Sequence, residues 1–194
     1  EKKKRKGAVV KTVSTTSMLN RQAECYNLPL YERPVGFNYI ADLILSEDVL
    51  IGGEESGSIS IQGHIPEGDG IMMSLLLLEV MGAWGVPLHE LVESLSVEFG
   101  PLVYKREDLR LSHAVARGEL TRRLLDGVPR YISHMAVTDV QTMDGVKYLM
   151  EDGSWLLIRP SGTEPLLRVY AESHTSEDLA ALLDYGKEIA QRSY

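Results

Sequence analysis

From residue 131 onward four β-type runs follow one another, at 131–142, 146–150, 154–159 and 166–172. Asp144-Gly145 and Asp152-Gly153 separate the first three. An Asp-Gly pair between apolar runs is a hairpin signal, because glycine accepts the positive φ that a tight turn demands. Strands joined by such short turns pair as antiparallel neighbours. Before this meander, Leu102–Tyr104 is extended and Leu111–Leu125 is helix-like; after it comes an amphipathic helix capped around Thr175 or Ser176. Leu179, Leu182, Leu183, Gly186 and Ile189 lie along one side of that last helix. Residues 101–194 are therefore expected to form an α+β domain, an antiparallel sheet backed by helices.

Residues 1–100 are organised differently. Ala8–Val13 is a short, β-branched strand. Ser17–Tyr26 is helical, with Met18, Leu19, Ala23 and Tyr26 on one side, and Pro29–Tyr31 is extended. Phe37–Leu45 is a helix whose Phe37, Ile40, Ala41 and Ile44 share a face, and Val49–Ile51 is a strand that runs into GGEESGSIS. Asp69 is an N-cap for a long helix through Met81, closing at Gly82 or Gly85, and Pro87–Ser96 is a further helix. Met72, Met73, Met81 and Leu75–Leu78 are expected in the core. Strands alternating with helices predict an α/β domain with a mixed, largely parallel sheet. The two domains meet near Gly100-Pro101, with no low-complexity linker and no internal repeat.

A net charge of −8 argues against a general nucleic-acid binder, so an anionic ligand would need a local cluster of donors. The longest apolar stretch, residues 71–86, contains Glu79 and is too short and interrupted to span a bilayer, and no signal peptide is visible. One cysteine, Cys25, allows no internal disulfide; this fits a reducing, cytoplasmic compartment, with Cys25 as a packed thiol. The opening EKKKRK is read as the solvated end of a helix, with a nuclear or phosphate-binding tag as the alternative. The five histidines (64, 89, 113, 134 and 174) have no metal spacing, and no Asp-x-Asp-x-Asp cluster occurs.

Two loops carry chemistry. In Gly52-Gly53-Glu54-Glu55-Ser56-Gly57-Ser58, Glu54 and Ser56 are two apart, so in an extended loop they point the same way. A carboxylate beside a hydroxyl suits the vicinal hydroxyls of a sugar; the alternative is a polar strand-to-helix connection. His64 follows closely and is a candidate lining residue. In RPSGTEP, Arg159 offers a planar fork of donors, Ser161 and Thr163 add hydroxyls, and Gly162 permits an anion nest. Pro160 and Pro165 stiffen the flanks. This loop suits a phosphate; the alternative is a hairpin in which Arg159 pairs with Glu164 or Glu172.

The ordered series VVKTV, GFNYI, GGEESGS, DGI, LLLLE and RPSGTEPLLRVYAE resembles the C-terminal half of an α-D-phosphohexomutase of the phosphoglucomutase/phosphomannomutase family, over essentially the whole chain. Such enzymes have four domains around a cleft. The resemblance implies that residues 1–100 are most of the third, sugar-recognising domain and 101–194 the fourth, phosphate-binding domain. Glu54 and Ser56 would contact sugar hydroxyls. Arg159, Ser161, Gly162 and Thr163 would hold the phosphate, with Arg168 supporting that loop. The implied reaction interconverts hexose 1- and 6-phosphates through a hexose 1,6-bisphosphate. Its phosphoserine and Mg²⁺ loop belong to N-terminal domains outside these residues, so this chain alone is expected to be inactive. The EESG form of the loop favours glucose or mannose phosphate over glucosamine phosphate. Asn38, at a position where many relatives carry a cleft lysine, keeps open a non-catalytic sugar-phosphate sensor or scaffold.

Overall fold

A computed structural model of the chain describes residues 5–111, 116–162 and 164–192. They form two compact units, Glu1–Pro101 and Leu102–Tyr194. In the first, β1 (Ala8–Thr12), α1 (Met18–Cys25), β2 (Leu30–Arg33), α2 (Phe37–Ser46), β3 (Val49–Gly53) and β4 (Ile59–Ile61) precede α3 (Gly70–Trp84) and α4 (Leu88–Phe99). The sheet order is β2-β1-β3-β4, with β2 and β3 parallel to β1 and β4 antiparallel to β3. This is the mixed, largely parallel sheet expected.

Alternation along the strands decides which face each residue covers. Val10 and Val49 pack with Ile40 of α2, supported by Phe37, Leu43 and Ile44. Gly52 lies directly under the Ile40 side chain, where a Cβ would collide. β4 is an addition to the expected elements, because the GGEESGSIS stretch has no alternation long enough to announce a strand; pairing with β3 creates it.

Asp69 caps α3 as expected, its Oδ1 accepting from Met72 N at 2.9 Å, and the helix ends at Gly85 (φ 73), not at Gly82. The expected core role of α3 is corrected. Of the expected residues Met73 is buried, whereas Leu75, Leu77 and Leu78 are exposed, with Ile71 81% and Trp84 66% exposed. The helix is apolar on every side, while only one side has β4 and α4 to pack against. Cys25 is exposed at the end of α1, not packed. Tyr26 is half exposed and meets Phe99 edge-on, with centroids 6.2 Å apart. Arg5 and Lys6 are not helical; they run beside Gln62, whose carbonyl accepts from Arg5 Nη1 at 2.7 Å, while residues 1–4 lie outside those described.

The second unit contains β5 (Val103–Arg110), α5 (Arg117–Leu125), β6 (Tyr131–Ile132), β7 (Met135–Gln141), β8 (Val146–Met150), β9 (Trp155–Pro160), β10 (Leu166–Ser173) and α6 (Ser176–Arg192). Its antiparallel sheet has the order β5-β10-β9-β8-β7-β6. Both Asp-Gly turns are present, with φ of 92° at Gly145 and 87° at Gly153. The expected single run 131–142 is broken by a turn at Ser133 (φ 55) and His134. Where a short extended piece and then a helix from Leu111 were expected, an eight-residue β5 stands, Leu111 is not helical and α5 is described from Arg117, while residues 112–115 of the expected helix lie outside those described. Full-length pairing from Val103↔Ser173 to Arg110↔Leu166 stabilises this charged strand.

Leu156, Ile158, Leu167, Val169 and Ala171 form the core face, packed with Leu120 and Leu124 of α5 and Leu179, Leu182 and Leu183 of α6. Gly186 is where α6 approaches closest, since a Cβ there would lie 2.6 Å from Val169 Cγ1. Thr175 is the cap of α6: its Oγ1 accepts from Asp178 N at 3.1 Å. Tyr148 sits fully buried, its hydroxyl donating to Leu124 O at 3.2 Å. Burial, with Tyr185 adding to it, pushes its ionisation well above the ordinary value of 10.0. Because the folded value is the higher one, this contribution is intact below about pH 10 and is lost as pH rises through the raised value. Tyr148→Phe is expected to cost about 1 kcal/mol at neutral pH and to flatten the alkaline limb of stability, measured by urea unfolding from pH 7 to 11.

Candidate functional site

Parallel strands bring their carboxyl ends together, and open α/β sheets bind ligands there. In the first unit the carboxyl ends of β1, β2 and β3 lead into the 12–16 segment, the Pro34–Gly36 turn and the GEESG loop. That loop is a hairpin turn between β3 and β4, not a strand-to-helix connection. Glu54 N donates to Ser58 O at 2.9 Å and Gly57 N to Glu54 O at 3.1 Å, with Gly57 at φ 90. The turn replaces the extended geometry from which a shared direction for Glu54 and Ser56 was expected.

Glu54 is half-buried, and its Oε1 accepts from Gly36 N at 2.8 Å. Gly36 has φ 138, and a Cβ there would lie 2.7 Å from Asn38 Oδ1. Thus Gly36 gathers Glu54 and the exposed Asn38 at one end of the sheet, while Ser56 is exposed in the turn. His64 Nε2 lies 3.1 Å from Oδ2 of Asp69, the capping residue at the start of α3. The Met72 N–H, with His64 adding to it, holds the Asp69 carboxyl below its ordinary range.

A polar cluster at the end of β1 had no separate signal in the sequence. Lys11 is 1% exposed; its Nζ donates to Thr15 O and Thr16 O, each at 3.2 Å, and pairs with Glu32 Oε2 at 3.2 Å. Thr12 Oγ1 lies 3.0 Å from Thr15 Oγ1. Buried cations persist when paired and hydrogen-bonded, and here the lysine fixes the backbone that follows the central strand.

In the second unit, Arg159 and Pro160 close β9 and Leu166 opens β10, with Ser161 N donating to Leu166 O at 2.8 Å. Leu111 N donates to Pro165 O at 2.9 Å, tying the loop to the segment after β5. Gly162 does not adopt a positive φ and lies in open surroundings, so the nest expected of it lacks its left-handed residue there. Thr163 lies outside the described residues.

Arg159 pairs with neither Glu164 nor Glu172. Its Nε donates to Asp144 Oδ2 at 2.7 Å, inside the protein. Glu172 instead accepts from Trp155 Nε1 at 2.9 Å. Arg168 is the direct cross-strand partner of Arg159, so both guanidinium groups stand on the same face of the sheet. Glu164 is 3.9 Å from Arg168, and Arg168 Nε is buried with no hydrogen-bond partner among the described residues. Like charges directly opposite are unfavourable unless an anion lies between or beside them. Asp144 was legible only as half of a turn signal, because the pair it makes spans 15 residues of chain. Among the described residues no group of three metal-ligating side chains comes together.

The chain matches family models for phosphoglucomutase/phosphomannomutase alpha/beta/alpha domain III at residues 1–99 and for the phosphoglucomutase/phosphomannomutase C-terminal domain at residues 118–186. It is 32% identical to a phosphoglucosamine mutase of Fusobacterium nucleatum, with 89% of this chain and 36% of that protein covered. With a phosphoglucomutase/phosphomannomutase of Thermococcus kodakarensis it shares 26% identity, covering 96% and 38%. Among solved structures, a Thermus thermophilus protein with a provisional phosphomannomutase name superposes with a TM-score of 0.78 at 32% identity, covering 98% of this chain and 38% of that one. The chain thus spans somewhat more than a third of the length of these relatives. It belongs to the phosphoglucomutase/phosphomannomutase family, of which it carries domain III and the C-terminal domain.

Proposed function

We propose that this chain is the ligand-recognition part of a cytoplasmic phosphohexomutase that interconverts hexose 1-phosphate and hexose 6-phosphate through a hexose 1,6-bisphosphate. The first unit recognises sugar hydroxyls with Glu54 and Ser56. The second holds a phosphate with Arg159, Ser161, Gly162 and Thr163, and Arg168 supports them. The observation that carries this proposal is the Arg159–Arg168 pair, two guanidinium groups on one sheet face beside a Ser- and Gly-containing loop. Phosphoryl transfer is chiefly positioning and charge stabilisation, and positioning is what these residues can supply.

The phosphoserine and the Mg²⁺ ligands are assigned to protein outside these residues. Support comes from the relatives' greater length and from the exposed apolar side of α3, a surface of the kind that further protein covers. Glucose and mannose phosphates are the proposed substrates. The relatives' names also include glucosamine phosphate, so all three sugars belong in the assay.

A full-length protein carrying this chain, given Mg²⁺ and glucose 1,6-bisphosphate, is expected to interconvert the 1- and 6-phosphates of at least one of these sugars. The 194-residue chain alone is expected to bind without turnover. Binding without turnover at full length would overturn the enzymatic reading in favour of a sensor, for which Asn38 is the motivating residue; gain of turnover in Asn38→Lys would then identify the cause.

A further inference from the structure

Arg159 does not stand alone at its loop. Asp144 has a fully buried side chain, with Oδ2 2.7 Å from Arg159 Nε and Oδ1 2.9 Å from Arg117 Nη2. Arg159 is itself nearly buried, whereas Arg117, the first residue of α5, is 50% exposed. The turn that carries Asp144 is built against the arginine. Gly145 lies under Arg159 at φ +92, where a Cβ would meet Ile158 O and sit 3.0 Å from Arg159 Cα.

We propose that Arg117, Asp144 and Arg159 form a positioning triad for the phosphate loop, with Asp144 orienting Arg159 and Arg117 supplying the charge that Asp144 cancels. The proposal rests on the assignment of the RPSGTEP loop to phosphate. A guanidinium bound through Nε has its rotation fixed, so its two terminal nitrogens are the donors with which the fork can meet an anion. An arginine without that anchor spreads over several rotamers, and binding must then order it. Orientation has an electrostatic cost, however. Arg159 with Asp144 is a neutral pair, which attracts a phosphate dianion weakly. Arg117 on the second oxygen returns the cluster to a net charge of +1, and its exposed end allows the charge to act at the surface. The chain's net charge of −8 makes that local charge matter more.

The test is calorimetric titration of the 194-residue chain with glucose 1-phosphate, for wild type, Asp144→Asn, Arg117→Gln, Arg159→Lys and the two doubles with Arg159→Lys. Asp144→Asn keeps the shape and is expected to weaken binding about tenfold, a loss of the size that supporting-residue changes produce at metal sites. In the Arg159→Lys background, which lacks the Nε–H, the same change should cost less than about twofold. Arg117→Gln is on the solvent side and leaves the fold intact; it should weaken binding about threefold, with the effect shrinking as salt rises. Equal losses from Asp144→Asn in both backgrounds would mean a merely structural role and overturn the triad. A wild type that binds no glucose 1-phosphate would instead overturn the phosphate assignment. In that case exchange of the Arg159 Nε–H, read by nitrogen-15 NMR, still decides the positioning: exchange at least tenfold faster in Asp144→Asn is expected, and unchanged exchange refutes it.

Discussion

Arg159→Ala is expected to abolish measurable hexose phosphate binding, a loss of at least a hundredfold. Charge-assisted hydrogen bonds contribute about 1.5–3 kcal/mol each, and two removed together exceed the roughly 2.7 kcal/mol of a hundredfold change. The alanine would also leave the buried Asp144 carboxylate with Arg117 alone, and breaking a buried pair costs about 3–5 kcal/mol of stability. Titration must therefore be run well below the variant's unfolding midpoint. Arg159→Lys separates the two effects, because it keeps the charge beside Asp144 while losing the fork. Retained affinity in a folded Arg159→Ala chain would remove the phosphate from this loop.

Gly145→Ala is expected to be the most destabilising single-methyl change in the second unit, at about 3–5 kcal/mol. Two costs add. The backbone holds φ +92, where an L side chain is strained, and the added Cβ runs into the Ile158 carbonyl and the Arg159 backbone. β8 and β9 pair at Val146↔Ile158, so relief would require opening the centre of the sheet. Gly153→Ala is the internal control: its φ is +87, but nothing lies within 4 Å of its Cβ position. Only the conformational part, about 1–2 kcal/mol, should be lost there. Similar unfolding midpoints for the two variants would show that contact with Arg159 contributes nothing at Gly145.

Local order in the sequence is enough wherever a segment's own periodicity or turn chemistry decides its state. The hairpins at Asp144-Gly145 and Asp152-Gly153, the buried β1, the capped α3 and the apolar stripe of α6 are of this kind. The two loops proposed to bind ligand are likewise compact sets of donors or acceptors within a few residues. The segments that differ from expectation depend on partners distant in the chain. VYKREDLR has charges on both faces and becomes β5 only because β10 lies beside it. The apolar α3 has every mark of a core helix, but burial is a property of what packs against it, and here most of its surface faces solvent.

The site divides along the same line. Arg159 and Arg168 are nine residues apart in the sequence, and only antiparallel pairing makes them direct neighbours on one face. Asp144, Arg159 and Arg117 come from a turn, a strand end and a helix start, and no spacing rule joins them. A carboxylate such as Glu164 or Glu172 is close in sequence and yet turns to Arg168 or Trp155. The sequence by itself determined which donors are present and which turns carry them, because backbone preferences act over a few residues. The tertiary structure alone decided which charge meets which, because ion pairs depend on distance in space and on burial.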